Sequence, residues 1–371
     1  MLMPGHATEE GTDRFRRRFE ARFPGHFREL QGLWVSSIGI GTYLGEPTAA
    51  CDALYREAVT GALTGGINVI DTAVNYRHQR SERAVGQALA DLIQAGKLQR
   101  DEVIVATKGG FLNFNGSEPG DPSEYFQRQL IDTGLLRPEE VVAGCHVMSP
   151  RYLENQIDVS RQNLGIETLD IYYLHNPETQ ASQIARQEFE RRMRAAFATL
   201  EKAAGEGKIR IFGTATWNGY RVGQDSPEAL SLPDLLKLAE EVGGKDHHFR
   251  AIQLPYNLAM PEALTARTQR GNGKALPVLQ VARAHGLLVF ASASLLQQQL
   301  AASLPHETHA WFPGLASDAQ RAIQFVRSTP GIACALVGMS QREHVTQNLG
   351  TAGTPPLNLE QFRAIFNSGL R

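Results

Sequence analysis

Short apolar runs rich in β-branched residues alternate along this chain with segments whose apolar positions recur every three or four residues. The runs cover residues 35–40, 67–70, 103–107, 169–174, 209–214, 251–254, 287–291 and 332–337. They are continuous rather than alternating, which predicts strands buried on both faces. Helical patterns follow at 51–63, 82–95, 152–164, 189–204, 227–241, 274–284, 318–327 and 342–349. Strands alternating with helices predict a parallel sheet. Right-handed crossovers close eight such units into a (β/α)8 TIM barrel. An open doubly wound sheet would need GxGxxG after its first strand. Gly39-Ile-Gly41 lacks the third glycine, so the barrel is preferred. Residues 31–371 are assigned to this α/β barrel, with long βα loops, and residues 1–30 to an N-terminal arm.

The arm differs from the rest. Its stretch from Arg14 to Phe23 mixes basic and aromatic residues, as a nucleic-acid or membrane arm would. Neighbouring acids dilute that charge, so an arm packed on the barrel or at a subunit contact is expected. Across the 371 residues, 42% hydrophobic and 20% charged side chains describe a globular chain. The formal net charge of −2 argues against nucleic acid or an anionic membrane as partner. Cys51, Cys145 and Cys334 are widely spaced and form no CxxC, which fits reduced thiols and a cytoplasmic setting. No apolar run reaches the roughly 18 residues of a membrane span, and no signal-peptide apolar stretch opens the chain. His306-Glu-Thr-His309 is not HExxH, so no metal site is expected. His247-His248 lies in a polar turn and is expected to be solvated.

In a barrel of this kind the chemistry sits at the C-terminal ends of the strands. The stretch Gly66-Ile-Asn-Val-Ile-Asp-Thr-Ala-Val-Asn-Tyr76 delivers Asp71 at the end of the second run and Tyr76 in the loop beyond it. Lys108 ends the third run and His175 the fourth. Taken singly, the Asp reads as a cap or turn residue and the Tyr as a packed aromatic. A lysine behind a β-branched run is costly to bury unless paired, and Asp71 on the adjacent strand is its expected partner. Four polar residues at three successive strand ends exceed what caps require and point to proton chemistry.

These residues resemble the aldo-keto reductase family. Gly66-x-Asn68-x-x-Asp71-Thr-Ala-x-x-Tyr76 is similar to its first signature, Ala106-Thr-Lys108 to its second and Leu174-His175-x-Pro177 to its third. Gly207-Lys-Ile-Arg-x-x-Gly213 resembles the approach to its fifth strand, and Gly338-Met-Ser-x-x-x-His-x-x-x-Asn348 its adenosine-phosphate segment. The resemblance runs in order from about Val35 to Leu349. It implies a carbonyl reductase with Asp71, Tyr76, Lys108 and His175 as catalytic tetrad: Tyr76 gives the proton, Lys108 lowers its pKa, Asp71 holds Lys108, and His175 binds the carbonyl. It also implies an aldehyde, ketone or sugar carbonyl as substrate, met by Tyr43, Phe111 and Trp217. NADP is the implied cofactor, with NAD the alternative. Its contacts fall on Gly41, Thr42, Tyr43, Asp71, Thr216, Gln253, Ser292, Ala293, Leu295, Gln297, Gly338, Met339, Ser340, Arg342, His344, Gln347 and Asn348.

The chain departs from the family pattern in places. Arg77 stands where the family usually has Gly, and Ser81-Glu82 arrives two residues late, so the Tyr76 loop is longer. Thr216 replaces a usual Asn, and Ser292 stands where an aromatic normally stacks on nicotinamide. Gly338 and His344 replace two cations that hold the 2′-phosphate, leaving Arg342 to compensate. A long insertion follows Lys108, and its Phe111, Phe114, Tyr125 and Phe126 are candidates to roof the cavity. Two other readings stay open on the same barrel: a nicotinamide-binding regulatory or scaffold protein, and a redox-type sugar epimerase or lyase. A homo-oligomer is likewise left open.

Overall fold

The computed structural model describes residues 1–271 and 273–367. Two strands, β1 (Phe27–Leu30) and β2 (Leu33–Ser36), form an antiparallel hairpin. Six parallel strands follow: β3 (Ile38–Gly41), β4 (Val69–Asp71), β5 (Ile104–Gly109), β6 (Leu169–His175), β7 (Ile209–Ala215) and β8 (Phe249–Pro255). A second hairpin, β9 (Gln269–Gly271) and β10 (Lys274–Leu276), precedes β11 (Leu288–Ser292) and β12 (Cys334–Gly338). Strands β3 to β8, β11 and β12 close into one barrel in that order, with β12 pairing back onto β3.

The barrel is ringed by α2 (Ala49–Gly65), α3 (Arg80–Gln94), α5 (Pro150–Leu164), α7 (Arg186–Gly205), α8 (Leu232–Gly243), α10 (Val278–Ala284), α12 (Asp318–Ser328) and α13 (Arg342–Ala352). The remaining helices are α1 (Glu9–Phe19), α4 (Pro122–Phe126), α6 (Glu178–Ala181), α9 (Glu262–Thr265), α11 (Glu307–Trp311) and α14 (Leu359–Asn367). Side chains between strands and ring helices make the larger core, including Val59, Leu89, Ile157, Phe197 and Ile323. A second cluster fills the barrel interior with Val69, Ile104, Ile171, Ile211 and Phe290, as inward layers of a barrel do.

All eight expected strands are present, with three departures from the expected boundaries. The first run breaks at Ser37, because Ser36 ends the β1–β2 hairpin while Ile38 begins the barrel. The helix expected over 227–241 starts at Leu232, where Ser231 caps it by accepting from Asp234 N. The helix expected over 274–284 is replaced at its start by β10, and Pro277 caps the shortened α10.

The arm packs on the barrel. Phe15, Phe23 and Phe27 are buried in the larger core, and Ala7, Leu33 and Val35 join the interior cluster. Arg14 and Arg18 pair with Glu102. Asn68 ties the hairpin to the start of β4: its Oδ1 accepts from Ser36 N at 2.9 Å and its Nδ2 donates to Trp34 O at 2.8 Å. Asn68 thus belongs to the floor of the barrel, while Asp71, three residues on, reaches its upper rim.

Two glycines are required by geometry. Gly66 ends α2 at φ 119°, where its N–H donates to Ala62 O, a conformation that costs other residues strain. At Gly213 a Cβ would lie 1.8 Å from Ala251 O. The β7–β8 register shifts at this point, between Phe212 and Gly213.

Candidate active site

Asp71, Lys108 and His175 lie at or near the upper ends of β4, β5 and β6, and the chain after Asp71 is pinned so that Tyr76 faces them. Thr72 N donates to Ala106 O, Val74 N to Lys108 O and Tyr76 N to Ala73 O. The Lys108 ammonium then donates three hydrogen bonds: to Asp71 Oδ2 at 2.7 Å, Thr72 O at 2.9 Å and Tyr76 Oη at 3.1 Å. Lys108 is 1% exposed, so its whole donor capacity is met by protein. The other Asp71 oxygen accepts from Gln253 Nε2 at 2.6 Å. A buried ion pair of this kind holds only because both partners are satisfied.

Electrostatics follow from burial. Asp71 and Tyr76 hold the Lys108 ammonium above its usual value against the desolvation that opposes it. Tyr76 was expected to be lowered by Lys108. Its phenol instead lies above the ordinary tyrosine value, because desolvation outweighs the attraction of the ammonium. His175 is pushed well below the ordinary histidine value, by burial first and then by the Lys108 charge. It is therefore a neutral imidazole at physiological pH. Its Nδ1 finds no hydrogen-bond partner in the protein among the described residues.

The loop after Tyr76, expected from the resemblance to be longer than the family pattern, is built on left-handed backbone. Arg77, His78 and Gln79 all adopt positive φ, at 49°, 55° and 71°. The first is where the family places Gly, which carries no Cβ penalty there. Arg77 offsets its strain with contacts a glycine lacks. Its guanidinium is buried, pairs with Asp52, donates to Glu46 O at 3.0 Å and sits 5.2 Å over the Tyr55 ring.

A cavity of about 470 Å³ opens above this cluster. Of the expected cofactor residues, Gly41, Thr42, Tyr43, Asp71, Thr216, Gln253, Ser292, Ala293, Leu295, Gln297 and Gly338 line it. Tyr76, Phe111, His175 and Trp217 line it too. Met339, Ser340, Arg342, His344, Gln347 and Asn348 do not. Met339 and Asn348 are buried, so their side chains present no open surface, whereas Arg342 and Gln347 are exposed on α13. The expected roof is absent as drawn: only Phe111 reaches the cavity. Phe114, Tyr125 and Phe126 pack on one another instead, and Phe114 also meets His78. His247, expected to be solvated, is 8% exposed, and its neighbour His248 meets Glu201 Oε2 at 2.6 Å.

Other residues at the cavity carried no sequence signal. Asn75 and Asn176 belong to loops, and Asn176 takes φ 46° with its N–H donating to Ala215 O. Glu178 lies two residues further on. Its Oε1 accepts from Trp217 N at 2.5 Å and Asn218 N at 3.1 Å, and Oε2 is buried with no partner among the described residues. Burial pushes this carboxyl up to about 7. The motif Pro-Glu after the histidine was visible, but nothing in it named the neighbouring loop as its partner.

The fold and site together define a (β/α)8 protein with a Lys-centred polar cluster at the upper rim. The chain belongs to the aldo/keto reductase family, whose model matches residues 37–303. It is 32% identical over 192 residues to the NADH-specific methylglyoxal reductase of Escherichia coli, covering 49% of each chain. It is 27% identical over 201 residues to the 6-dehydroglucose reductase of Novosphingobium aromaticivorans, covering 52% of each. Its match thus spans about half the length of these curated relatives. The glycerol dehydrogenase of Gluconobacter oxydans shares the fold with a TM-score of 0.63 at 20% identity, covering 93% of this chain and 95% of that one. An aldo/keto reductase from Klebsiella pneumoniae, solved with NADP and acetate, gives 0.59 at 21% identity, covering 94% and 97%.

Proposed function

We propose that the chain is a nicotinamide-dependent carbonyl reductase in which Tyr76 is the proton donor. One observation carries the reading: a single buried ammonium touches the Asp71 carboxylate and the Tyr76 hydroxyl together, with neutral His175 on the same cavity. A tyrosine held above its ordinary pKa stays protonated at neutral pH. As its proton passes to a carbonyl oxygen, the growing phenolate lies 3.1 Å from Lys108 Nζ, where its charge is stabilised. Asp71 keeps Lys108 charged and aimed. His175 donates a hydrogen bond to the carbonyl oxygen and fixes its face.

The cavity fits a nicotinamide cofactor. Thr216 Oγ1 is buried on its wall without a protein partner among the described residues, and Gln253 lines the same wall beside it. These two would hold a carboxamide. Gly41 and Gly338, paired on adjacent strands, leave room for close backbone approach. The reduced nicotinamide, when bound, supplies the hydride that no side chain can. The related reductases of E. coli and N. aromaticivorans support a small carbonyl substrate. The lining supports a narrower reading: among the described residues no lysine or arginine lines the cavity, while Tyr43 and Trp217 stand exposed on its wall. That lining favours a neutral carbonyl compound over a keto acid, whose carboxylate would go unpaired.

The test is titration with NADPH and NADH, followed by a panel of neutral aldehydes, sugars and keto acids under spectrophotometric readout at 340 nm. Oxidation of the reduced cofactor with neutral carbonyls ahead of keto acids is expected. Cofactor binding with no turnover on any carbonyl would leave a binding protein in place of a reductase.

A further inference from the structure

The insertion after β5 returns to the site through one histidine. Its two ends are zipped together at the base: Leu112 N donates to Cys145 O at 2.7 Å and Val147 N to Gly110 O at 2.7 Å. Phe111 and His146 face each other across this bridge. His146 is fully buried, and its Nε2 lies 2.7 Å from the backbone oxygen of His175.

The hydrogen bonds behind His146 run in one direction. Arg192 can only donate, and its guanidinium reaches Gln180 Oε1 at 3.1 Å. That fixes the Gln180 amide, whose Nε2 lies 3.2 Å from His146 Nδ1 and so donates to it. His146 is then the tautomer with its proton on Nε2, donated to the His175 carbonyl. Burial pushes His146 down to about 4, which keeps it neutral and this direction fixed. Arg192 also donates to the Glu139 and Glu140 carbonyls, tying the insertion to α7.

The His175 ring has no such support of its own. Its Nδ1 is unpartnered among the described residues, and aromatic rings hold it instead: Phe111 at 5.0 Å and Tyr76 at 5.9 Å, both edge-on. Phe111 is wedged between the two imidazoles, 5.0 Å from each, and its carbonyl is gripped by Tyr152 and Gln156.

We propose that His146 is a positioning residue for His175, and that the base of the insertion is a splint holding the reactive imidazole against the cavity. This inference rests on the reductase reading for its kinetic consequence, but its geometric consequence does not. Misplacing a reacting group by about 1 Å costs on the order of a hundredfold in rate. A loosened His175 also gains water and rises toward the ordinary histidine value. The titratable groups that face it are Lys108 of β5, Tyr76 and His146.

The experiment compares the full-length parent with His146→Ala, His146→Gln and Gln180→Leu. Carbonyl reduction and NADPH affinity are measured, and the His175 imidazole is followed by ¹⁵N NMR against pH, assigned by its loss in His175→Asn. For His146→Ala a fall in kcat of about tenfold to a hundredfold is expected, with NADPH affinity within twofold and the His175 titration moved upward. His146→Gln, whose amide can donate to the same carbonyl, should recover most of kcat. Gln180→Leu should fall between them. A folded His146→Ala with parental kcat and an unmoved His175 titration overturns the proposal, as does His146→Gln matching His146→Ala in kcat and titration. If His146→Ala fails to fold, Gln180→Leu decides by the same two readings. A parent inactive on every carbonyl sinks the reductase reading instead, and the NMR titration still judges the splint.

Discussion

The half of the cavity built on β4, β5 and β6 differs from the half built on β7, β8, β11 and β12 in how its polar atoms are held. In the first, Asp71, Lys108 and Tyr76 satisfy one another through bonds of 2.7 and 3.1 Å. In the second, Thr216 Oγ1 has no protein partner among the described residues, and the loop after β11 carries positive φ at Ala293, Leu296, Gln297 and Gln298. Gln253 is the link, donating across to Asp71 at 2.6 Å. On the proposed reading the ion-paired half performs the chemistry and the other half receives the cofactor, with His175 Nδ1 the unpartnered atom on the reacting side among the described residues. Reacting groups need fixed geometry before anything binds, whereas a receiving wall keeps donors and acceptors uncommitted.

The sharpest way to break this division is at its centre. Tyr76→Phe removes one hydroxyl and leaves the ring against Tyr43 and His175. The expected outcome is a loss of about a hundredfold to ten-thousandfold in kcat, with NADPH affinity unchanged by fluorescence titration. Residual turnover above a few per cent would place the proton donor elsewhere.

Lys108→Met tests whether the first half is also a stability element. Asp71 would keep Gln253 but lose the Lys108 cation, a cost of roughly 3–5 kcal/mol. Urea unfolding of parent and variant at pH 7 measures it. Equal midpoints would mean that the pair carries no folding energy. Activity should vanish alongside, as the phenolate loses its neighbouring charge.

The same contrast explains what the sequence revealed. The strands were legible because double burial writes continuous β-branched runs, and Asp71, Lys108 and His175 were legible because each follows such a run. The break at Ser37 was not, since an apolar run looks the same on both sides of a bend. The β9–β10 hairpin was hidden because its three-residue strands carry no β-branched run. His146 and Glu178 were invisible for another reason: their partners lie 29 and 39 residues away. No local pattern encodes a contact that only barrel closure creates.

Glu178 sits on the border between the halves, gripping the β7 loop from the β6 side. Its carboxyl stands near 7 in the fold, against an ordinary value of 4.5. The folded state therefore holds this proton more tightly than the unfolded chain. Stability from this group is fully present below about pH 4.5 and is lost as pH rises to about 7. The loss amounts to about 2–4 kcal/mol. Glu178→Gln keeps an acceptor for Trp217 N and Asn218 N but has no proton to lose. Urea midpoints at pH 5 and pH 8 should therefore differ by less in the variant than in the parent. An identical difference in both would show that Glu178 does not titrate in this window.

The smallest expected effect concerns the far end of the receiving half, where a 2′-phosphate would meet α13. Gln341 caps that helix without a side-chain hydrogen bond. Gly338 and His344 stand where the sequence resemblance implies cations. Arg342, at the first position of α13, is exposed and makes no ion pair among the described residues, while His344 is half-buried. A single charge-assisted contact contributes roughly 1.5–3 kcal/mol. That corresponds to NADPH preferred over NADH by about tenfold to a hundredfold. Arg342→Ala should bring the two dissociation constants to within about twofold, and His344→Ala should leave most of the preference in place. A reversed pattern would move the phosphate contact to His344. Equal binding of both cofactors by the parent would remove the 2′-phosphate from the account and leave NAD as the molecule this half receives.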